Sequence, residues 1–288
     1  MKRQIKIAVS ACFLVASMAV RRLKYLFGLC ERERLTILYY HAVRKSSLSG
    51  FERQMDLLAR RARVVPADWD GDGPDGASVS RRPIVAIAFD DAFESVFDNA
   101  VPVLEAHGFR CTVFVPSGCI GQTPSWAMET DADRTERVAS AERLAQVPED
   151  VVTIGSHTVT HPRLSSLPRE AARREIEQSM RDLSALTGKT VTSLAFPYGD
   201  HDDDLIELCR RSGYKQVYTI QPVPVLPGSG AFARGRVAVD PSDGQFEFLL
   251  KMSGAYQWMC VASALKKRLL NSAGIRLPRP KDSTEDAV

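Results

Sequence analysis

Three short stretches carry the residue types that do hydrolytic chemistry, and each follows an apolar run. The first is Asp90-Asp91, at the end of Ile84-Val85-Ala86-Ile87-Ala88-Phe89. Two adjacent acids ending a buried strand exceed what a helix cap needs, because one carboxylate satisfies a cap and a second adds like-charge repulsion unless a cation sits nearby. The second is His157 and His161, four residues apart. One helical turn places both imidazoles on one side, a spacing suited to a single divalent metal. The third is Pro197-Tyr198-Gly199, after Val191 to Phe196. A carboxylate added to the two histidines makes a His₂Asp set that keeps a fourth position for water, the catalytic pattern rather than the structural one. Read alone, the acid pair also fits a cap or turn, and HxxxH also fits two hydrogen-bonding histidines. Their joint occurrence at strand ends favours the metal.

Elements that position these residues alternate regularly. Strands are expected at Leu35–Tyr40, Val64-Val65, Ile84–Phe89, Phe109–Val115, Val151–Ile154, Val191–Phe196, Tyr214–Thr219 and Arg236–Val239. Helices are expected between them: one marked by Phe51, Met55 and Leu58, then Glu94 to His107, Ala139 to Ala145, Pro168 to Leu186 and Asp203 to Arg211. Residues 70–82 read as a loop. Residues 117–135 read as irregular chain over the open end of the sheet. This alternation means parallel βαβ units and an α/β fold, a distorted or incomplete (β/α) barrel or a doubly wound sheet. In a barrel, the carboxyl ends of the strands gather on one rim.

At 288 residues the chain supports a large core, and a net charge of +3 gives no nucleic-acid footprint. The six cysteines lack metal-finger spacing and read as buried thiols. Residues 1–34 form a separate segment: Lys2, Arg3 and Lys6 precede an apolar stretch, Ile7 to Val20, and Arg21, Arg22 and Lys24 follow. At fourteen residues this stretch is short for a span of about 20. The expectation is membrane association through residues 5–24, as an uncleaved anchor or an interfacial helix; the alternative is a buried helix in a cytoplasmic protein. A carboxyl-terminal helix is expected over 241–270, from about Gln245, and a polar, disordered tail over 271–288.

Phe-Asp-Asp at 89–91, Ser-His-Thr-Val-Thr-His-Pro at 156–162 and Phe-Pro-Tyr-Gly at 196–199 resemble, in order and spacing, the polysaccharide deacetylases, carbohydrate esterase family 4 with its NodB homology domain. The resemblance covers residues 35–240. It implies the distorted barrel and metal-dependent removal of acetyl groups from sugars, with an acetylated glycan or glycolipid as substrate. By this resemblance Asp91, His157 and His161 are metal ligands for Zn²⁺, Co²⁺ or another divalent ion. Asp90 is the general base, and the Tyr198 backbone N–H stabilises the oxyanion. The family's late histidine acid has no match; His41 is the candidate for that role. The arginine expected ahead of the third motif is absent, and Arg236 is the candidate substitute for tuning Asp90. Ala88 replaces a frequent Thr or Ser, and Ala92 replaces the usual Gly, at a steric cost if φ is positive there. Two other readings stay open: a glycan-binding or assembly module that keeps the metal site, and a hydrolase of a non-sugar amide.

Overall fold

The computed structural model describes residues 2–29, 33–71, 82–128, 133–260, 262, 263 and 265. Eight strands form: β1 (Leu35–Tyr40), β2 (Arg63–Val64), β3 (Ile84–Phe89), β4 (Cys111–Val115), β5 (Val152–Ser156), β6 (Ser193–Ala195), β7 (Gln216–Thr219) and β8 (Ala233–Ala238). Seven of them close a parallel barrel in the order β1-β8-β7-β6-β5-β4-β3, with β3 pairing back onto β1. The short β2 adds to β3 alongside. The fold is the expected α/β barrel. It is uneven: β5 and β6 share one register pair, Ser156↔Leu194, whereas β1 and β3 run level from Leu35↔Ile84 to Tyr40↔Phe89. That level register brings His41 and Asp90 out side by side, with Asp90 N donating to Tyr40 O at 2.9 Å.

Strand residues alternate between two apolar environments, which is why the strands read as unbroken apolar runs. Leu35, Ile37, Tyr39, Ile84, Ala86 and Ala88 belong to the barrel interior with Phe114 and Tyr218. Leu38, Tyr40, Val85, Ile87 and Phe89 pack outward against the helices. The small side chains of Ala86 and Ala88 accompany two large interior ones, since Arg234 and Arg236 on β8 are both almost wholly buried.

The helices are α1 (Lys2–Leu26), α2 (Leu48–Arg61), α3 (Val101–Ala106), α4 (Ala141–Ala145), α5 (Arg169–Thr187), α6 (Asp203–Arg211) and α7 (Gln245–Met252). Three differ from expectation. The helix expected from Glu94 to His107 runs continuously from Glu94 to Ala106 but contains a π-helical turn, Val96–Ala100, ahead of α3. Pro102 brings no N–H to the first turn of α3, so regular bonding cannot run through from the preceding turn. The helix expected from Gln245 to Leu270 is interrupted after Met252, where Gly254 turns left-handed at φ 72 and a 3-10 turn, Ala255–Gln257, follows; helical backbone resumes at Trp258. The amino-terminal helix is longer than its fourteen-residue apolar core, running 25 residues through the flanking cations. Its span Arg3–Leu26 is long and apolar enough to cross a membrane by length and composition.

Most of the 70–82 loop and the whole 271–288 tail lie outside the described residues. Of the cysteines, Cys12, Cys111, Cys119, Cys209 and Cys260 are free. Cys111, Cys119 and Cys209 are buried as expected, but Cys12 is exposed on α1.

Candidate metal centre

Strand parity explains the first acid. Positions 84, 86 and 88 face the barrel interior, and Asp90 continues that series, 3% exposed, onto Arg236. Arg236 Nη1 donates to Asp90 Oδ1 at 2.6 Å and Nη2 to Oδ2 at 2.9 Å. The guanidinium lies between the rings of Tyr39 and Phe114, 4.4 and 5.2 Å from their centres. Burial pushes the Asp90 carboxyl up, but Arg236, His157 and His41 outweigh it and hold the group below the ordinary carboxylate range.

Asp91 has the opposite parity and would face the outer helices. Left-handed backbone at Asp91 (φ 67) and Ala92 (φ 51) swings it back over the mouth. The steric cost expected at Ala92 is therefore present. Its backbone is put to use, since Ala92 O accepts from Ala139 N at 2.9 Å.

The histidines do not share a helical turn. His157 continues β5, and the chain then bends through left-handed Thr158 (φ 66) and His161 (φ 58). This bend, rather than helical periodicity, brings the rings together with centroids 4.7 Å apart. Three bonds from Glu175 on α5 hold it: Val159 N, Thr160 N and Thr160 Oγ1 each donate to its carboxylate at 2.8 Å. Gly118 N donates to Val159 O from the other side.

The three donors Asp91, His157 and His161 lie within 4.8 Å of one another, all buried. His157 Nδ1–H donates to Ala195 O at 2.8 Å, leaving the Nε2 lone pair facing the mouth. Asp91 Oδ1 is 3.8 Å from His157 Nε2 and 3.3 Å from His161 Nε2. It is buried without a hydrogen-bond partner among the described residues. Burial pushes Asp91 up to about 7, with Asp90 and Asp133 adding to the rise against the pull of His41. Burial also lowers His157 to about 4 and pushes His161 well down. A buried carboxylate facing two neutral imidazoles is short of one positive charge. The donor set fits a divalent cation such as Zn²⁺.

These groups line a cavity of about 390 Å³. His41 lines it too, half-buried and edge-on to Tyr39. Tyr198, left-handed at φ 57, sets its ring edge-on to His161 with centroids 4.8 Å apart, so this side chain belongs to the site rather than to the core. Sequence reasoning did not assign Trp126, Arg163, Asp133 or Glu175 to the site. Trp126 stacks on His161 at 4.5 Å, Arg163 lies 4.3 Å over the Tyr198 ring, and Arg44 pairs with Asp133 and Glu136 at the cavity edge. The only available signal for Trp126 was its place in the 117–135 stretch, of which Trp126, Ala127, Met128 and Asp133 line the cavity.

Residues 78–217 match the family model for polysaccharide deacetylase. The poly-beta-1,6-N-acetyl-D-glucosamine N-deacetylase of Staphylococcus aureus (strain MRSA252) is 24% identical over 170 residues, covering 58% of this chain and 57% of that protein. The chain spans about half the length of the curated relatives it matches. Among solved structures, IcaB from Ammonifex degensii shares the fold with a TM-score of 0.63 at 23% identity, covering 78% of this chain and 97% of that one. The Streptococcus pyogenes deacetylase PplD, in complex with acetate, gives 0.60 at 17% identity, covering 77% and 99%. The match to the polysaccharide deacetylase family runs from ahead of β3 into β7, takes in all three strand-end motifs and lies on a barrel of the same fold.

Proposed function

We propose that the chain is a metal-dependent hydrolase that removes N-acetyl groups from an amino-sugar polysaccharide or lipid-linked glycan at the cell envelope, with residues 35–240 as the catalytic unit. The carrying observation is the unpartnered Asp91 Oδ1 facing two imidazole nitrogens, beside an Asp90 held ionised by Arg236. The substrate class follows the name of the Staphylococcus aureus relative. The membrane association follows the apolar α1.

Asp91, His157 and His161 are the ligands in this reading. Bound there, Zn²⁺ or Co²⁺ supplies a Lewis acid that polarises the acetyl carbonyl and acidifies water. Asp90 accepts the proton of the attacking water; Arg236 keeps the carboxylate charged and aimed, so the base is weak but always available. The Tyr198 backbone N–H, presented by its left-handed turn, donates to the developing oxyanion, a contribution of about 3 kcal/mol when well placed. Gly199 packs so closely on Ile220 that any Cβ there would lie 2.2 Å from Ile220 Cγ1, which holds that turn down. His41, on the neighbouring strand end, is positioned to protonate the leaving amine.

The test is acetate release from N-acetylated glucosamine oligomers by purified protein with Zn²⁺ or Co²⁺, compared with the chelated protein and with Asp90→Asn. Release that survives chelation, or that Asp90→Asn leaves unchanged, rejects the assignment. Tight metal binding with no release from any sugar or amide substrate would instead make the domain a glycan-binding module.

A further inference from the structure

We infer that α1 seats the barrel on an anionic membrane while remaining packed against α7, lying along the bilayer with its outward stripe in lipid, so that the site opens sideways over the membrane surface. This deepens the membrane-associated reading above and rests on it.

At 3.6 residues per turn, Arg3, Ile7, Ser10, Ala11 and Leu14 share one face of α1. The domain occupies that face. Ser10 is fully buried and its Oγ accepts from Trp258 Nε1 at 2.9 Å. Ile7, Ala11 and Leu14 pack on the main core. Arg3 Nε donates to Glu247 Oε2 at 2.8 Å and Nη2 to Asp243 Oδ1 at 3.0 Å. The opposite face is Ile5, Val9, Cys12, Ala16, Val20 and Leu23, all exposed, with Ile5 and Leu23 at 55%. A helix apolar on both faces is a buried helix, and here only one face is covered.

Charge selects the occupant of the open face. Lys6 lies at one end of α1 and Arg21, Arg22 and Lys24 at the other, and the helix contains no acid. Cations flanking an apolar stripe suit anionic headgroups above acyl chain.

Crossing and lying are separated by the root of the helix. A span needs about 20 residues in hydrocarbon. Residues 3–14 are already held by α7 and Trp258, and the side chains of Asp243 and Glu247 that receive Arg3 are only 4% and 8% exposed. Pulling α1 into a span would leave Lys251 as the cation facing those two acids among the described residues. A helix lying on the surface keeps the root intact.

The same contacts set the orientation. Asp243 just ahead of α7 and Glu247 in its first turn follow the carboxyl end of β8, and hence lie at the rim that carries Asp90 and Asp91. Trp258 follows the far end of α7. Helix α1 therefore runs beside α7 away from the rim, along the barrel wall. With that wall on the membrane the mouth faces along the surface, where a glycan lying on or tethered to the bilayer enters without the barrel tipping.

The experiment is sedimentation of the purified full-length chain with phosphatidylcholine vesicles, with and without phosphatidylglycerol. Expected is salt-sensitive binding that needs phosphatidylglycerol and falls at least about tenfold in the Val9→Asp/Leu23→Asp variant, with acetate release from soluble oligomers and the circular dichroism spectrum unchanged. A second arm bridges Ser10→Cys to Trp258→Cys with a short bismaleimide, in a background of Cys12→Ser, Cys30→Ser and Cys260→Ser. Vesicle binding equal before and after bridging supports a lying, docked helix. Binding lost on bridging overturns it, because the helix must then leave α7 to enter lipid. Binding indifferent to phosphatidylglycerol, or a vesicle-free oligomer that the Asp substitutions dissolve, also overturns it, the latter by showing a second copy on the stripe. Sedimentation is read from protein alone, so failure of the deacetylase reading leaves this result interpretable.

Discussion

Asp90 and Asp91 are neighbours of one chemical type, and their surroundings drive them apart. Arg236 faces Asp90, whereas Asp91 is buried against two imidazoles and beside Asp90, so one ionises easily and the other keeps its proton to about pH 7 in the metal-free protein. Metal must displace that proton. Affinity is therefore expected to fall as pH drops below about 7, by about tenfold per unit, with a proton released on binding near pH 6. Calorimetry in two buffers of different ionisation enthalpy measures both; an affinity flat between about pH 5 and 7 would place the metal on other ligands. The imidazoles do not compete in that window, since burial has already lowered His157 to about 4 and His161 well down. For Asp90→Asn, acetate release is expected to fall by about 10²–10⁴. Because Arg236 is then buried without a counter-charge, stability should fall by up to about 3–5 kcal/mol in urea melts. Adding Arg236→Met should restore much of the stability and none of the activity.

The bend between β5 and α5 is the element on which the ligand set depends. Two left-handed residues that are not glycine, Thr158 and His161, persist there because Glu175 bonds the intervening backbone and Gly118 closes on it from the opposite loop. Glu175→Ala is expected to lower metal affinity by about 10–100-fold, with the protein still folded by circular dichroism. An unchanged affinity would mean that the bend holds itself. At Gly118 a Cβ would stand 2.8 Å from Val159 Cγ1 and 3.0 Å from Val159 O. Gly118→Ala should therefore cost about 1–3 kcal/mol and displace His161, readable as lower melting temperature together with weaker metal binding.

Across the whole molecule the barrel closes unevenly, and the site sits over its weakest joint. The single register pair between β5 and β6 is supplemented by the bond from His157 Nδ1 to Ala195 O. The Ser193–Ala195 strand is expected to exchange its amide hydrogens faster than Ile84–Phe89 in metal-free protein, and to slow when Zn²⁺ fixes His157. Equal protection of both strands with and without metal would remove the link between site and seam. The interior below the site holds two arginines among its apolar side chains, and Arg234 Nη1 donates to Ala67 O and Trp69 O. Short residues at Ala86 and Ala88 leave room for them. That is a physical reason for alanine at position 88.

By itself the sequence determined what local pattern can determine. It set the alternation of strands and helices, the three strand-end motifs and the apolar amino-terminal segment, because periodicity, chain order and residue type are carried by neighbours along the chain. It could not show that His157 and His161 meet through a left-handed bend, since that conformation is enforced by Glu175 on α5 and Gly118 on another loop. Nor could it establish the partner of Asp90, because Arg236 stands 146 residues away and reaches it only when β1 joins β3 to β8. Tertiary structure likewise decided which face of α1 is covered. The first acid differs from the second for the same reason: burial and the charges that face each carboxylate depend on distances across the barrel, and those distances exist only once it closes.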